Sequence, residues 1–313
     1  MAVALNALFD KKKLALTGAR FRAWWDGADF NEDAALAAFE AKLAAANDRT
    51  EGADDALFDT PPFEPAPRLL ALTLLWGEHR IRPTLENEFE PARVQLAPDG
   101  VLAVLGPGSV GPLLTIAEKH PGKIEVFEWR DETLEALKHG VASARLGERV
   151  QVMRFDLEAH VFAPASFDGL VSTDDFAYCS YPPHLAQQIM KCLKPGACAV
   201  AEAYVGLPSP ALATAFASSF AEPHIRAHGD LLQFFADAGL SLEGDDDLTE
   251  AFLTAARRAF KQLGERLTAA GELDVFAARE LAWEAEAWRA RMKLLMQRRL
   301  ERRRFVLRKP ATD

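Results

Sequence analysis

Two kinds of hydrophobic pattern divide this chain. From about residue 99, short apolar runs alternate with amphipathic stretches. Val101–Leu105, Ile124–Glu128, Val150–Met153, Gly169–Thr173 and Cys198–Tyr204 read as strands, being short, aliphatic and β-branched. Pro112–Lys119, Glu132–Ala144 and Pro183–Leu193 carry apolar residues at helical spacing between them. Strands alternating with helices predict a parallel sheet covered on both faces.

The flanking regions read as helical. Asn31 can cap a helix to about Ala45, with Ala35, Leu36, Phe39 and Leu43 on one face. Residues 48–67 are a loop broken by four prolines, and a second helix follows from Arg68 to about Trp76. After residue 210, Leu231–Ala238 is a helix stopped by Gly239, with a short strand near Leu240–Leu242. Two long helices, about Leu248–Ala269 and Leu273–Leu300, meet at Gly271, and Arg304–Arg308 forms a last strand. The expected organisation is an N-terminal helical cap at 1–95, and a core at 96–313 that holds a helical hairpin at 248–300 before its last strand.

Composition narrows the class. The chain has 313 residues and a net charge of −10, which argues against a nucleic-acid surface. Its three cysteines form no disulfide framework and fit a reducing, cytoplasmic setting. The apolar run Leu69–Trp76 is too short to span a bilayer, and the N-terminus puts apolar residues before charge, the reverse of a secretory signal. Arg298, Arg299, Arg302, Arg303, Arg304, Arg308 and Lys309 form a basic cluster in this acidic chain. It reads as a solvated helix face and strand edge, or else as a docking surface for an anion.

The chemistry-bearing stretch is Val101–Gly111, V-L-A-V-L-G-P-G-S-V-G. Glycines let the backbone bend sharply and approach a ligand, and the helix N-terminus that follows offers N–H groups. Three acidic features then fall at strand ends: Glu128, Asp156 in R-F-D-L, and the Asp174-Asp175 pair. In open parallel sheets, ligands sit outside these carboxyl ends. The turn Lys194-Pro195-Gly196 completes the series.

Over about residues 96–245 this ordered series resembles the class I S-adenosylmethionine-dependent methyltransferases of small-molecule type. The tail R-F-V-L-R-K-P looks like their closing strand. The resemblance implies a doubly wound, mostly parallel, Rossmann-like α/β sheet with an N-terminal helical region and a C-terminal helical hairpin. It implies S-adenosylmethionine as cofactor, with Gly106, Gly108 and Gly111 wrapping its methionine part. Glu128 would hold the ribose hydroxyls, Asp156 the adenine amino group, and Phe155 and Leu157 would contact the ring. The expected activity is methyl transfer to a small molecule, with Asp174, Tyr178 and His184 as catalytic candidates and no metal. Tyr178, Tyr181 and Tyr204 all fall at the ends of the fourth and fifth strands, where the acceptor belongs. His184, in Y-P-P-H, is the best-placed base in the sequence.

Two departures keep alternatives open. The family usually has an acid in the first strand (V-L-D-x-G), whereas here Ala103 follows Val-Leu; Pro107 stands mid-turn, with no N–H. A methyltransferase-like protein that binds a partner without catalysis, and a nicotinamide-dependent oxidoreductase, remain as rivals. Candidate lid segments are Trp24-Trp25, Trp76-Gly77-Glu78-His79 and the hairpin. The apolar stripes of these helices read as core packing or as the face of a homodimer or protein partner.

Overall fold

Seven strands form one sheet in the order β3-β2-β1-β4-β5-β7-β6. They are β1 Val101–Leu105, β2 Lys123–Glu128, β3 Val150–Arg154, β4 Phe167–Thr173, β5 Leu193–Gly206, β6 Ser241–Asp247 and β7 Leu300–Arg308. The structure is a computed structural model that describes residues 30–38, 65–85, 96–217 and 220–311. The chain divides into two units: Met1–Glu64 with Glu272–Glu280, and Pro65–Gly271 with Leu281–Asp313. In the first, residues 32–38 are helical, and Asn31 Oδ1 accepts the Ala34 N–H at 3.0 Å, as a helix cap should. The rest of the expected helix to Ala45 lies outside the described residues, as do Trp24 and Trp25.

The second unit holds the sheet. Its helices are α1 Pro67–Trp76, α2 Val110–Lys119, α3 Asp131–Ser143, α4 Asp175–Tyr178, α5 Pro182–Cys192, α6 Pro210–Ala215, α7 His228–Asp237 and α8 Thr249–Ala270. A ninth, α9, runs from Val275 to Met296. β1 pairs in parallel with β2 and β4, so it lies inside the parallel part of the sheet. Alternate residues of β1 serve opposite faces. Ala103 and Leu105 join the core beside Phe127, Leu185, Ile189 and Phe235, while Leu102 and Val104 join Val110, Leu113, Ile116 and Val126. The expected doubly wound, mostly parallel sheet is therefore present, with β7 as its antiparallel member. No described helix is long and apolar enough to cross a membrane.

Some boundaries differ from the sequence reading. β5 begins at Leu193, before the Lys194-Pro195-Gly196 turn. That turn is looped out of the β4 pairing, which passes from Phe167↔Leu193 to Gly169↔Cys198. β6 extends to Asp247 and β7 begins at Leu300, because long antiparallel pairing recruits polar residues that have no apolar alternation.

This pairing also corrects the reading of the basic cluster. Arg302 is fully buried between Asp174, with which it forms a close ion pair, and Glu202, at 3.0 Å. Arg304 reaches Glu202 at 2.6 Å, Arg303 reaches Asp245 at 2.7 Å, and Arg298 and Arg308 pair with Asp247 and Glu243. An acidic β6 and the acids at the ends of β4 and β5 take up these guanidinium groups. The cluster is neither a merely solvated face nor an open docking surface.

α1 packs on the hairpin. Trp76 meets Trp288 at 4.4 Å and Phe260 at 5.6 Å between ring centroids, and Arg266 donates to the Leu75 carbonyl at 2.8 Å. The buried Arg302 pairs set a stability test. Arg302→Ala leaves two buried acids short of a partner, and urea unfolding should show a loss of about 3–5 kcal/mol. A loss below about 0.5 kcal/mol, the scale of an ordinary surface substitution, would mean that the pairs contribute nothing.

Candidate functional site

The turn after β1 needs glycine at two points. Gly106 and Gly108 have φ of 56° and 71°, the left-handed region that residues with a Cβ rarely enter. Space demands the same. A Cβ on Gly106 would overlap the Asp175 carboxylate, and one on Gly108 would overlap the Ile81 side chain. The Gly106 N–H donates to the Phe127 carbonyl at 2.9 Å, which ties the turn to β2. The Gly111 N–H, in the first turn of α2, donates to the His79 carbonyl at 3.0 Å, so the segment after α1 lies along the turn.

Glu128 ends β2 fully buried. Its Oε2 accepts the Gly108 N–H at 2.7 Å, and its Oε1 accepts the Arg130 N–H at 2.9 Å and Arg130 Nη1 at 2.8 Å. Pro107 has no N–H, so the donor that the turn offers to Glu128 comes from Gly108. Arg130 is buried too. Its Nη1 lies 3.3 Å from the Gly106 carbonyl and its guanidinium 3.9 Å from the Trp129 ring centroid. A carboxylate has about four acceptor positions, and Glu128 uses three. Oε2 retains one, enough for a hydroxyl of a vicinal diol, and a second hydroxyl would exchange with Arg130. That remaining acceptor position is what a ligand hydroxyl would need.

The acidic pair after β4 splits into two roles. Asp174 has φ of 67°, and its N–H donates to the Glu202 carbonyl at 2.9 Å. Burial opposes ionisation of its carboxyl, but Arg302, Arg82 and Arg130 outweigh that and hold it below the usual range. The left-handed turn at Asp174 sends the next side chain inward. Asp175 is fully buried; its Oδ2 accepts Ser172 Oγ–H at 2.6 Å and its Oδ1 accepts the Trp129 indole N–H at 2.8 Å. Burial pushes its carboxyl up to about 7, against the opposing pull of Ser172, Arg130 and Trp129.

Gly106, Gly108, Glu128, Trp129, Arg130, Asp175 and Tyr178 are therefore one neighbourhood, with Tyr178 5.2 Å from Trp129 between ring centroids. Phe155 and Leu157 are buried at the end of β3, and the Phe155 N–H donates to the Glu128 carbonyl at 3.2 Å. Asp156 between them is exposed, its Oδ1 accepting the Glu158 N–H at 2.8 Å. His184 starts α5, with Nε2 3.1 Å from the His160 carbonyl. This contact is with the loop after β3 rather than with the turn. Tyr181 is exposed, whereas Tyr204 is buried under Phe216 and Phe252, with burial pushing its phenol up to about 12.

The sequence pattern singles out neither Arg130 nor Trp129, and it does not tell Asp175 apart from Asp174. The position of Trp129 and Arg130 directly after Glu128, and of Asp175 two residues past the end of β4, is the available signal. The contacts of Ile81 and His79 with the turn carried none.

Residues 104–201 match the family model described as a methyltransferase domain. No curated protein sequence matches the chain. Among solved structures, phosphoethanolamine N-methyltransferase 2 of Haemonchus contortus with S-adenosyl-L-methionine is 17% identical, with a TM-score of 0.65 over 77% of this chain and 56% of that one. Geranyl diphosphate C-methyltransferase from Streptomyces coelicolor A3(2), with geranyl diphosphate and S-adenosyl-L-homocysteine, is 16% identical, with a TM-score of 0.55 over 72% and 78%. The [4+2]-cyclase SpnF is 15% identical, with a TM-score of 0.60 over 78% and 92%. At these identities the likeness establishes the fold.

The state of Asp175 gives a pH test. A carboxyl raised from 3.8 to about 7 by folding burdens the native state increasingly as pH rises between those values, and fully above them. Thermal unfolding of Asp175→Asn and the unsubstituted chain should give midpoints whose gap widens in favour of the variant from pH 4 to pH 8. A gap independent of pH would show that the acid is not burdened by burial.

Proposed function

We propose, from the premise that residues 104–201 are a methyltransferase domain of the class I, S-adenosylmethionine-dependent type, that this chain methylates a small-molecule acceptor. The observation that carries the reading is the bond from Gly108 N–H to Glu128 Oε2, which couples the glycine turn to the acid at the end of β2. Bound S-adenosylmethionine would supply a methyl group already activated on a sulfonium. The chain's task is then to bind, orient and exclude water.

Gly106, Gly108 and Gly111 would cradle the methionine part, and Glu128 would accept a ribose hydroxyl. Phe155 and Leu157 offer apolar sides for an adenine ring, and the exposed carboxylate of Asp156 an acceptor for its amino group. The acceptor molecule belongs over the ends of β4 and β5, beside Tyr178 and Trp129. Of the candidates for moving a proton, Tyr178 is the one supported by proximity to the turn. Asp174, ion-paired to Arg302, serves better to fix that arginine, and His184 keeps to His160. The Gly77–Arg82 segment acts as a cover, since Ile81 lies on Gly108 and Arg82 is buried.

A small acceptor suits the acidic balance of the chain, which disfavours a polyanion. The ligands named with the structural neighbours, geranyl diphosphate and phosphomonomethylethanolamine, are small molecules as well. The buried free thiols of Cys179, Cys192 and Cys198 agree with a cytoplasmic setting.

Calorimetric titration with S-adenosylhomocysteine tests the reading. Saturable binding with a Kd of about 1 μM to 1 mM is expected, and Glu128→Ala should weaken it at least tenfold, about 1.4 kcal/mol. No heat at millimolar ligand would overturn it.

A further inference from the structure

The glycine turn that would cradle the cofactor is buried from Gly106 through Val110, and the chain that follows α1 supplies part of the cover. Ile81 lies on Gly108, where even a Cβ would overlap it. The His79 carbonyl accepts the Gly111 N–H at 3.0 Å, taking a donor at the start of α2 that could otherwise receive a ligand oxygen. Two of the three glycines are thus occupied by residues of one short segment.

The segment is fixed at both ends and loose between them. Its near end is Trp76, buried against Trp288 and Phe260. Its far end is Arg82, Pro83 and Leu85, all buried. Between them Glu78 and His79 are exposed, and the backbone passes through left-handed positions at Gly77, with φ of 104°, and His79, with φ of 60°. His79 is not a glycine, so its conformation is strained and persists only while its surroundings hold it. Arg82 supplies a hold. Burial opposes ionisation of Asp174 and Glu202, and Arg82 is among the arginines, behind Arg302, that keep both carboxyls below the usual range. Asp174 also pairs with Arg302, and Glu202 with Arg302 and Arg304, so release of Arg82 leaves neither acid without a guanidinium.

We propose that residues 77–85 form a strap that occupies the glycine turn in the ligand-free chain, latched by Arg82, and that it must lift from Gly108 and Gly111 before the cofactor can lie along them. Arg82 is then a positioning residue, which sets the fraction of chains open to ligand without touching the ligand itself. The proposal rests on the S-adenosylmethionine reading above.

Two measurements on the full chain test it. Without ligand, hydrogen–deuterium exchange of peptides covering residues 106–116 should be at least fivefold faster in Arg82→Gln. Arg82→Lys keeps the charge and should stay within twofold of the unsubstituted chain. In stopped flow with S-adenosylhomocysteine, read by tryptophan fluorescence, Arg82→Gln should associate at least threefold faster with dissociation within twofold, because the open fraction rises. Ile81→Ala removes the packing on Gly108, leaves every charge in place, and should raise exchange and association too. Thermal melts check that each variant is folded. Unchanged exchange would overturn the strap. Unchanged association would overturn the gating, and so would faster dissociation with weaker binding, the mark of a lid that retains ligand. If exchange quickens but the unsubstituted chain binds no S-adenosylhomocysteine, the cofactor reading falls and the gating with it, while the latch stands.

Discussion

A carboxylate buried at the end of a strand must find donors, and Glu128 finds its first in the glycine turn. The Gly108 N–H points at Oε2 from 2.7 Å, and that single bond fixes the turn against β2. It requires Gly108 to hold a left-handed conformation, which in turn sets the start of α2. Arg130 closes the other side of Glu128 and reaches back to the Gly106 carbonyl. The same bonds that stabilise the loop hold the acid against the buried turn Gly106–Val110, with one acceptor position of Oε2 left over.

A second set of charges organises the other half of the site. Arg302, Asp174, Glu202 and Arg304 lie buried where β4, β5 and β7 run side by side. Each group is costly to bury alone and tolerable only as part of the network. The antiparallel insertion of β7 between β5 and β6 is what brings the arginines to the acids. Because Asp174 is held by Arg302 in a left-handed turn, Asp175 faces the opposite partner set, Ser172 and Trp129. Two adjacent acids thus reach different surroundings through one backbone feature.

The parts of this arrangement readable in the sequence are the local ones. β1 through β4 and their helices follow from alternation of apolar runs, and the turn from glycine spacing. Glu128 could be placed because strand ends are marked by the change in polarity. Long-range pairing left no such mark. The arginines of β7 have no hydrophobic period, so their burial against Asp174 and Glu202 depended on a partner 128 and 100 residues away. The polar half of β6, G-D-D-D, reads as a loop until an antiparallel neighbour supplies its hydrogen bonds and countercharges. Ile81 on Gly108 and His79 on Gly111 are likewise tertiary contacts, invisible to any window of local sequence. Asp174 and Asp175 could be named as a pair, but which of them turns inward depends on a φ of 67° at a non-glycine residue.

The central claim is that Glu128 and the glycine turn form one ligand-binding unit. A crystal structure of the chain with S-adenosylhomocysteine tests it most directly. The account predicts the thioether and amino-acid end along Gly106–Gly111, and a ribose hydroxyl on Glu128. Ligand density elsewhere, with Glu128 still closed by Gly108 and Arg130, would contradict it.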